Sequence, residues 1–495
     1  MLVSTLRMRL RPLRTAIALA LALLAATYAS GYSLLTHEQL IDLTWDDSIV
    51  PLLLSRYPGL TAAQLNEARA YAYGGCVIQD IGYYPSGDRS FSNLTHYVRS
   101  GDFVVALFRN ANNADELAFA IGALSHYVGD SVGHSLATNL AVPAEFPKLA
   151  RKYGPVVSYA EGEDQHVRVE FAFDIDEISH HHMAPLHYLR HIGLKVPVKQ
   201  LALAYYQTYG LRDEFTGPRR RFNIREYRFA TRTFIPRVAF AVTLLHRRHE
   251  PPEPDTPEAA EIAKEIAAVS AREGWKQFRH KAGFETYALA GLLMILPRIG
   301  PLRLVAVKGP TPATDAEYIH SVAVSLAVLR WRLARFTPPA KTHATGDSVR
   351  NTAATRAPGA SVADGISEPQ STLAELRSSG TTRAFFALAN PRYPLPDLDL
   401  DTGSVAKPGG YSLTDETYAR LLHRLTRQHS QPIPPGIKRD ILAYYATPDA
   451  PIKTRKDKAR WAQVQADLRT LAAMPTSREA EPYPTYGDDA GAGNP

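Results

Sequence analysis

The 495-residue chain contains a single cysteine, Cys76. A lone thiol excludes an intramolecular disulfide framework, and with it Cys-based zinc fingers and iron–sulfur clusters, which need several thiolates. Strict two-residue alternation of apolar and polar side chains is nearly absent, which leaves little material for a sheet. VRVEFAFDI (167–175) is the one stretch that reads as a possible strand. Long unbroken apolar runs are also scarce. Thr15 to Ala26 is too short to span a bilayer. Ala288 to Val307 is interrupted by Pro297, Arg298, Gly300, Pro301 and Arg303, so it reads as a buried or membrane-surface helical hairpin rather than a transmembrane helix. Hydrophobic residues make up 45% and charged residues 21%, an ordinary globular balance that excludes a fibrous or wholly disordered chain.

Charge is unevenly spread. The net +7 includes Arg7, Arg9, Arg11 and Arg14, with no acid among residues 1–31. This basic start, the apolar run behind it and the small residues Ala29, Ser30 and Gly31 have the layout of a secretory signal peptide. Cleavage after Gly31 would make Tyr32 the mature N-terminus. The expected location is therefore outside the cytoplasm, secreted or periplasmic, with membrane association possible. Residues 32–180 hold 19 acids against 9 bases, a net of −10, which leaves +13 in residues 181–495. Acids and histidines concentrated in one part suggest metal binding more than nucleic-acid binding.

Apolar spacing predicts helices over 34–70 (broken at Pro58-Gly59), 115–128, 198–209, 236–248 and 257–278. The fold class is mostly α. Residues 32–336 read as the helical catalytic domain. Residues 337–372, rich in Ser, Thr, Ala, Gly and Pro, read as a flexible linker. Residues 373–475 read as a smaller helical region, and 476–495 as a disordered tail.

The central motif is His126-Tyr-Val-Gly-Asp130-Ser-Val-Gly-His134. Residues four apart on a helix project from one side, so these three side chains line a stripe over two turns. His166 and Glu170 repeat the four-residue spacing. Upstream stand His37 in LLTHEQL, Asp80 in VIQDIGYYP and His96 in SNLTHYVRSGD. A lone histidine is more often a satisfied core residue than a ligand. Five histidines with three acids in an acidic segment favour the metal reading.

The ordered set THEQ, QD-x-GYYP, THYVRSGD, HYVGD and H-x-x-x-E resembles the zinc-dependent phospholipase C family, and more distantly the single-strand-specific zinc nucleases of fungi and plants. The resemblance covers about residues 32–250. It implies an all-α catalytic domain holding three zinc ions in a cleft that hydrolyses phosphodiesters. By the same resemblance, Asp80, His96, His126 and Asp130 would hold one zinc. Asp130 would bridge to a second, completed by His37 and by the α-amine and carbonyl of Tyr32. His134, His166 and Glu170 would hold the third. Two departures from the family pattern stand out. The usual N-terminal Trp is replaced by Tyr32, and His134 follows the bridging Asp by four residues rather than six. Asp80 is implied as both ligand and general base. Zinc lowers the pKa of bound water towards neutrality, so a zinc-bound hydroxide would attack phosphorus, and paired ions clamp the attacking and leaving oxygens.

Phospholipid, or a membrane surface, is the expected partner, and nucleic acid is the alternative substrate. Nothing in the sequence points to a protein partner. Arg219, Arg220, Arg221, Arg225 and Arg228 form a basic cluster that suits anionic head groups, a nucleic-acid strand or plain solvent. A non-catalytic zinc-binding, membrane-associated module is a third reading. Gly129-Asp-Ser131-Val-Gly133 matches the nucleophile elbow G-x-S-x-G, a motif that acts only between a strand and a helix. His180, His181, His182, His187 and His191 read as solvated or hydrogen-bonded side chains, with accessory ligation as the other reading. Asp397, Asp399 and Asp401 (DLDLD) lack the glycine turn and closing Glu of an EF-hand calcium loop.

Overall fold

The computed structural model describes residues 33–84, 87–213, 215, 217–246, 254–279, 284–295, 309–336, 395–428, 431–446 and 457–478. The expected signal segment with Tyr32, the expected linker over 337–372 and residues 479–495 of the expected tail lie outside the described residues, as do 296–308 of the expected apolar hairpin; residues 476–478, read as the start of that tail, are ordered by a bridge between Thr476 and Ile433.

The chain is mostly α, as its sequence predicts. It opens with α1 (Leu34–Thr44), a π turn (Trp45–Ile49) and a short helix (Val50–Arg56). The expected break follows at Pro58-Gly59, where Gly59 takes φ 87°. α2 (Ala62–Gly75) starts with a capping box in which Thr61 and Gln64 satisfy each other's backbone N–H groups. α3 (Arg89–Tyr97), α4 (Ser100–Arg109) and α5 (Ala114–Gly133) follow. α5 is the hub: its 20 residues are almost all buried, and it packs against α1, α2, α4 and a later helix (Pro312–Phe336). Stretch 167–175, which reads as a possible strand, lies inside α6 (Glu163–Ser179). The helix is buried nearly all round from Val169 to Ile178, so no polar stripe marks its 3.6-residue period.

α7 (Val198–Tyr209) matches its sequence expectation, and α8 (Pro257–Arg272) and α9 (Pro312–Phe336) add to the helical bundle. Among the described residues no helix is long and apolar enough to cross a membrane. One two-stranded ladder, β1 (Leu398–Asp399) with antiparallel β2 (Ser404–Val405), precedes α10 (Ser412–Thr426), α11 (Pro435–Ala446) and α12 (Lys458–Ala473). Leu395, Leu398, Leu400, Leu421 and Leu422 from this C-terminal part are buried in the same hydrophobic core as α5.

Two glycines bring α2 and α5 into near backbone contact. A Cβ on Gly122 would lie 2.1 Å from the Ala72 carbonyl oxygen, and one on Gly75 would lie 2.1 Å from that of Phe119. No side chain fits at either place. The close approach sets the Cys76 carbonyl, at the end of α2, against the imidazole of His126.

Candidate metal centre

Side chains four apart on an α-helix advance about 40° around the axis, since each residue turns 100°. His126, Asp130 and His134 therefore fan out from α5 and reach two neighbouring groups. In the first, the Asp130 carboxylate meets three imidazoles from three helices. Its Oδ1 lies 3.1 Å from His37 Nε2 on α1. Its Oδ2 lies 3.1 Å from His126 Nε2 and 3.2 Å from His96 Nε2 on α3. Asp80 joins from a 3-10 turn (Gln79–Gly82), with Oδ1 3.3 Å from His96 Nε2. Gln79 anchors this turn by donating to the Ala123 carbonyl of α5. The His37 and His126 rings stack at 4.3 Å, and a Cβ on residue 129 would press on the His37 ring at 3.2 Å, so Gly129 makes room for it.

In the second group His134 Nε2 lies 3.4 Å from Glu170 Oε1, and His166 Nδ1 lies 3.9 Å from the same oxygen. Both Glu170 and His166 come from α6. A π turn (His134–Thr138) begins at His134 itself. The four-residue gap thus still brings His134 to its two companions. Every residue of both groups is buried, Asp80 and Glu170 being 2% and 3% exposed.

The second ring nitrogens reveal how the donors are aimed. His96 and His126 donate Nδ1–H to the carbonyls of Ser92 and Cys76, at 2.8 and 2.9 Å. His134 donates Nδ1–H to the Leu400 carbonyl at 3.1 Å, and His166 donates Nε2–H to the Val157 carbonyl at 2.7 Å. In each ring one nitrogen is tied to backbone, which turns the other towards the carboxylates. Metal-ligating histidines are fixed in this way. The buried Nδ1 of His166 has no hydrogen bond among the described residues. Imidazole nitrogens and carboxylate oxygens, in sets of four (Asp80, His96, His126, Asp130) and three (His134, His166, Glu170) whose donor atoms lie within 4.8 Å of one another, fit zinc.

The electrostatics agree. Burial works to raise the Asp130 carboxyl, but the charge of His126 and the hydrogen bonds from His126, His37 and His96 outweigh it and hold it well below the usual range. Burial works to lower His134, yet the Glu170 hydrogen bond and the charges of Asp401 and Asp130 push it up to about 10. Burial raises Glu170 to about 8, and burial with the neighbouring His134 lowers His166 to about 3, so His166 is neutral across the working range. Tyr32 lies outside the described residues.

Three residues that hold the site in place are not apparent as such from the sequence. Asp174, one turn beyond Glu170 on α6, is fully buried and accepts hydrogen bonds from Leu35 N, Thr36 N and Thr36 Oγ1. It anchors the N-terminus of α1, one turn from His37. Leu400 and Asp401 come from the DLDLD segment. Besides its carbonyl on His134, Leu400 donates its N–H to the His96 carbonyl at 3.1 Å. Asp401 accepts from Tyr97 and Tyr411 hydroxyls at 2.9 and 2.7 Å, and its Oδ1 lies 3.7 Å from His134 Nδ1. The three DLDLD acids do not converge: Asp397 accepts from Asp102 N and Asp399 from Thr402. Asp401→Asn is expected to weaken zinc retention about 10- to 100-fold, the range for residues just outside a metal's ligands, because it removes a buried negative charge 3.7 Å from the His134 ring and the anchor of the Tyr97 and Tyr411 hydroxyls beside it. Chelator titration of the zinc-loaded protein measures this, and retention equal to that of the unaltered chain would remove Asp401 from the site.

Ser131 sits inside α5, and its hydroxyl donates to the Tyr127 carbonyl at 2.8 Å. A helical, back-bonded serine is no nucleophile elbow.

Residues 36–214 match the model of the zinc dependent phospholipase C family. Over these residues the chain is similar to that family, whose description names zinc as its metal. No curated protein and no solved structure matches the chain.

Proposed function

We propose that the chain is a zinc-dependent phosphodiesterase that cleaves phospholipids in the phospholipase C manner, at the bond between the glycerol oxygen and phosphorus. The observation that supports this best is Asp130, whose two oxygens meet three imidazoles from three helices beside a second donor group. Three zinc ions are proposed. Asp80, His96, His126 and Asp130 would hold the first. Asp130 and His37, with the amine and carbonyl of a processed Tyr32, would hold the second. His134, His166 and Glu170 would hold the third. Zinc in these positions would bring the pKa of bound water towards neutrality and offset the charge of the phosphate.

The chain's own groups do the rest. Asp80, the least enclosed of the first group's acids, would orient the attacking water and take its proton on a carboxylate oxygen. His166, neutral and tied through Nε2–H, would keep its Nδ1 lone pair available at any pH near 7.

The helix Pro218–Phe229 suits the lipid surface. Arg221, Arg225 and Arg228 share one exposed face with Phe222 and Phe229, which are 40% and 47% exposed. Arg220 instead points inward, paired with Asp213 and with Asp88, the N-cap of α3. Cations interleaved with exposed aromatics fit an anionic bilayer interface. The same face would suit a single nucleic-acid strand, so the nuclease reading shares this support. An exported enzyme is proposed from the basic and apolar N-terminal segment.

The test uses protein with a native processed N-terminus, assayed on phosphatidylcholine vesicles beside single-stranded DNA. Phosphocholine release that stops on chelation and returns with Zn²⁺ is the expected result. Product from DNA alone would replace the lipid reading with the nuclease one. Zinc binding without hydrolysis of either would leave a non-catalytic module.

A further inference from the structure

A third cluster of metal-type donors lies away from the centre described above. Asp176 and Glu177 end α6, and Asp315 stands in the first turn of α9, well over a hundred residues later in the chain. One oxygen from each lies within 4.8 Å of the other two. Two histidines close on the same carboxylates. His180 Nδ1 lies 3.5 Å from Asp176 Oδ2, and His182 Nδ1 lies 3.3 Å from Glu177 Oε2. The chain turns through a left-handed His181 (φ 65°), and the His182 N–H donates to the Glu177 carbonyl, which folds His182 back over the helix end.

Asp315 makes this more than a group of acids. It is only 2% exposed, its carboxylate takes part in no hydrogen bond or ion pair among the described residues, and it points at the other two. An ionised carboxylate enclosed beside two other acids costs free energy unless a cation or a proton meets it. The charges that weigh most on it are Asp176 and Glu177, which oppose its ionisation, and His180 and His182, which favour it. Burial and the two acids together push Asp315 up to about 7.

We infer that Asp176, Glu177 and Asp315, with His180 and His182, form a separate binding site for a divalent transition-metal ion of the zinc type. Two imidazoles among three carboxylates favour such an ion over calcium or magnesium, which prefer oxygen alone. The site is distinct from the centre. Glu177 follows Glu170 by seven residues, about 10 Å along the α6 axis. His180 and His182 are 15% and 14% exposed, so this cluster borders solvent.

An ion there would tie the end of α6 to the start of α9. The two helices already meet where Phe173 stacks on Tyr318 at 4.5 Å, and Tyr318 OH lies 2.9 Å from Thr36 Oγ1 on α1. Because α6 carries His166 and Glu170, the site would brace the helix that supplies part of the catalytic centre.

The experiment counts metal. The chain with its native processed N-terminus, its Asp315→Asn variant and the double variant His180→Ala/His182→Ala are dialysed against micromolar Zn²⁺ and analysed by mass spectrometry for bound zinc. Each variant is expected to hold about one ion fewer than the unaltered chain and to keep its hydrolysis of phosphatidylcholine. The partly exposed histidine pair gives the answer should Asp315→Asn fold poorly. Adding Asp315→Asn to a chain that already carries Asp130→Asn should again remove about one ion, whether or not the central groups bind three. Unchanged stoichiometry in the histidine pair variant would overturn the inference, as would the site taking Ca²⁺ but not Zn²⁺ under the same dialysis.

Discussion

Asp130→Asn is expected to reduce phosphatidylcholine hydrolysis by about 10³-fold or more, and to lower bound zinc by more than one ion. Loss of a single preorganised electrostatic group in an enzyme site costs about 10²–10³ in rate. Asp130 should sit at or beyond the top of that range, since its two oxygens face three imidazoles at once. Asparagine keeps the volume and removes the charge, so the packing around α5 should survive. The imidazoles of His37, His96 and His126 would then crowd together without the anion that sets their spacing. Rates on vesicles, zinc content and thermal unfolding should be measured on one preparation. A fold that melts normally but has lost zinc and activity is the expected outcome. Hydrolysis above a tenth of the unaltered rate would reject the bridging role.

That prediction rests on residues readable in the sequence, because the spacing that carries them is local. His126 with Asp130, and His166 with Glu170, are pairs one helical turn apart, and a four-residue interval survives any uncertainty about where the helix ends. Helices such as α7 are legible for the same reason. The ambiguous stretch 167–175 was not, because a helix buried all round shows no polar stripe, and its apolar residues then mimic a strand. The support of the centre was hidden by distance along the chain. Leu400 reaches His134 across 266 residues and Asp174 reaches Thr36 across 138. No local pattern announces such contacts. The π turn at His134 is equally silent, yet it begins at the one ligand candidate whose spacing departs from the family. Asp174 did leave a trace: it continues the four-residue series from His166 and Glu170. The positive charge of the C-terminal part also divides on inspection, since Arg220 is taken up in internal ion pairs and Arg228 donates Nε–H to the Leu194 carbonyl, while Arg221 and Arg225 face solvent.

Arg99→Met is expected to destabilise the folded chain by about 3–5 kcal/mol, the cost of breaking a buried ion pair on one side. Arg99 is 1% exposed and adopts φ 50°, which turns its side chain in at the start of α4. Its Nε lies 2.7 Å from Asp102 Oδ2 and 3.0 Å from Asp440 Oδ2 of α11, and its Nη1 donates to the Thr208 carbonyl at 3.2 Å. Buried Asp397 stands close by: it accepts from Asp102 N, and burial first, then the charge of Asp102, raise its carboxyl well above the usual range. One guanidinium therefore answers a group of acids drawn from α4, from the DLDLD segment and from α11. Methionine fills the space and leaves those acids without their cation. The consequence should reach the metal centre, because Asp397 begins the segment whose Leu400 and Asp401 hold His134. Urea unfolding should show a lower midpoint, and chelator titration a faster loss of zinc. Asp102→Asn added to Arg99→Met should recover part of the stability, since fewer charges then remain uncompensated. A single variant within about 1 kcal/mol of the unaltered chain would mean that solvent, not Arg99, satisfies these acids.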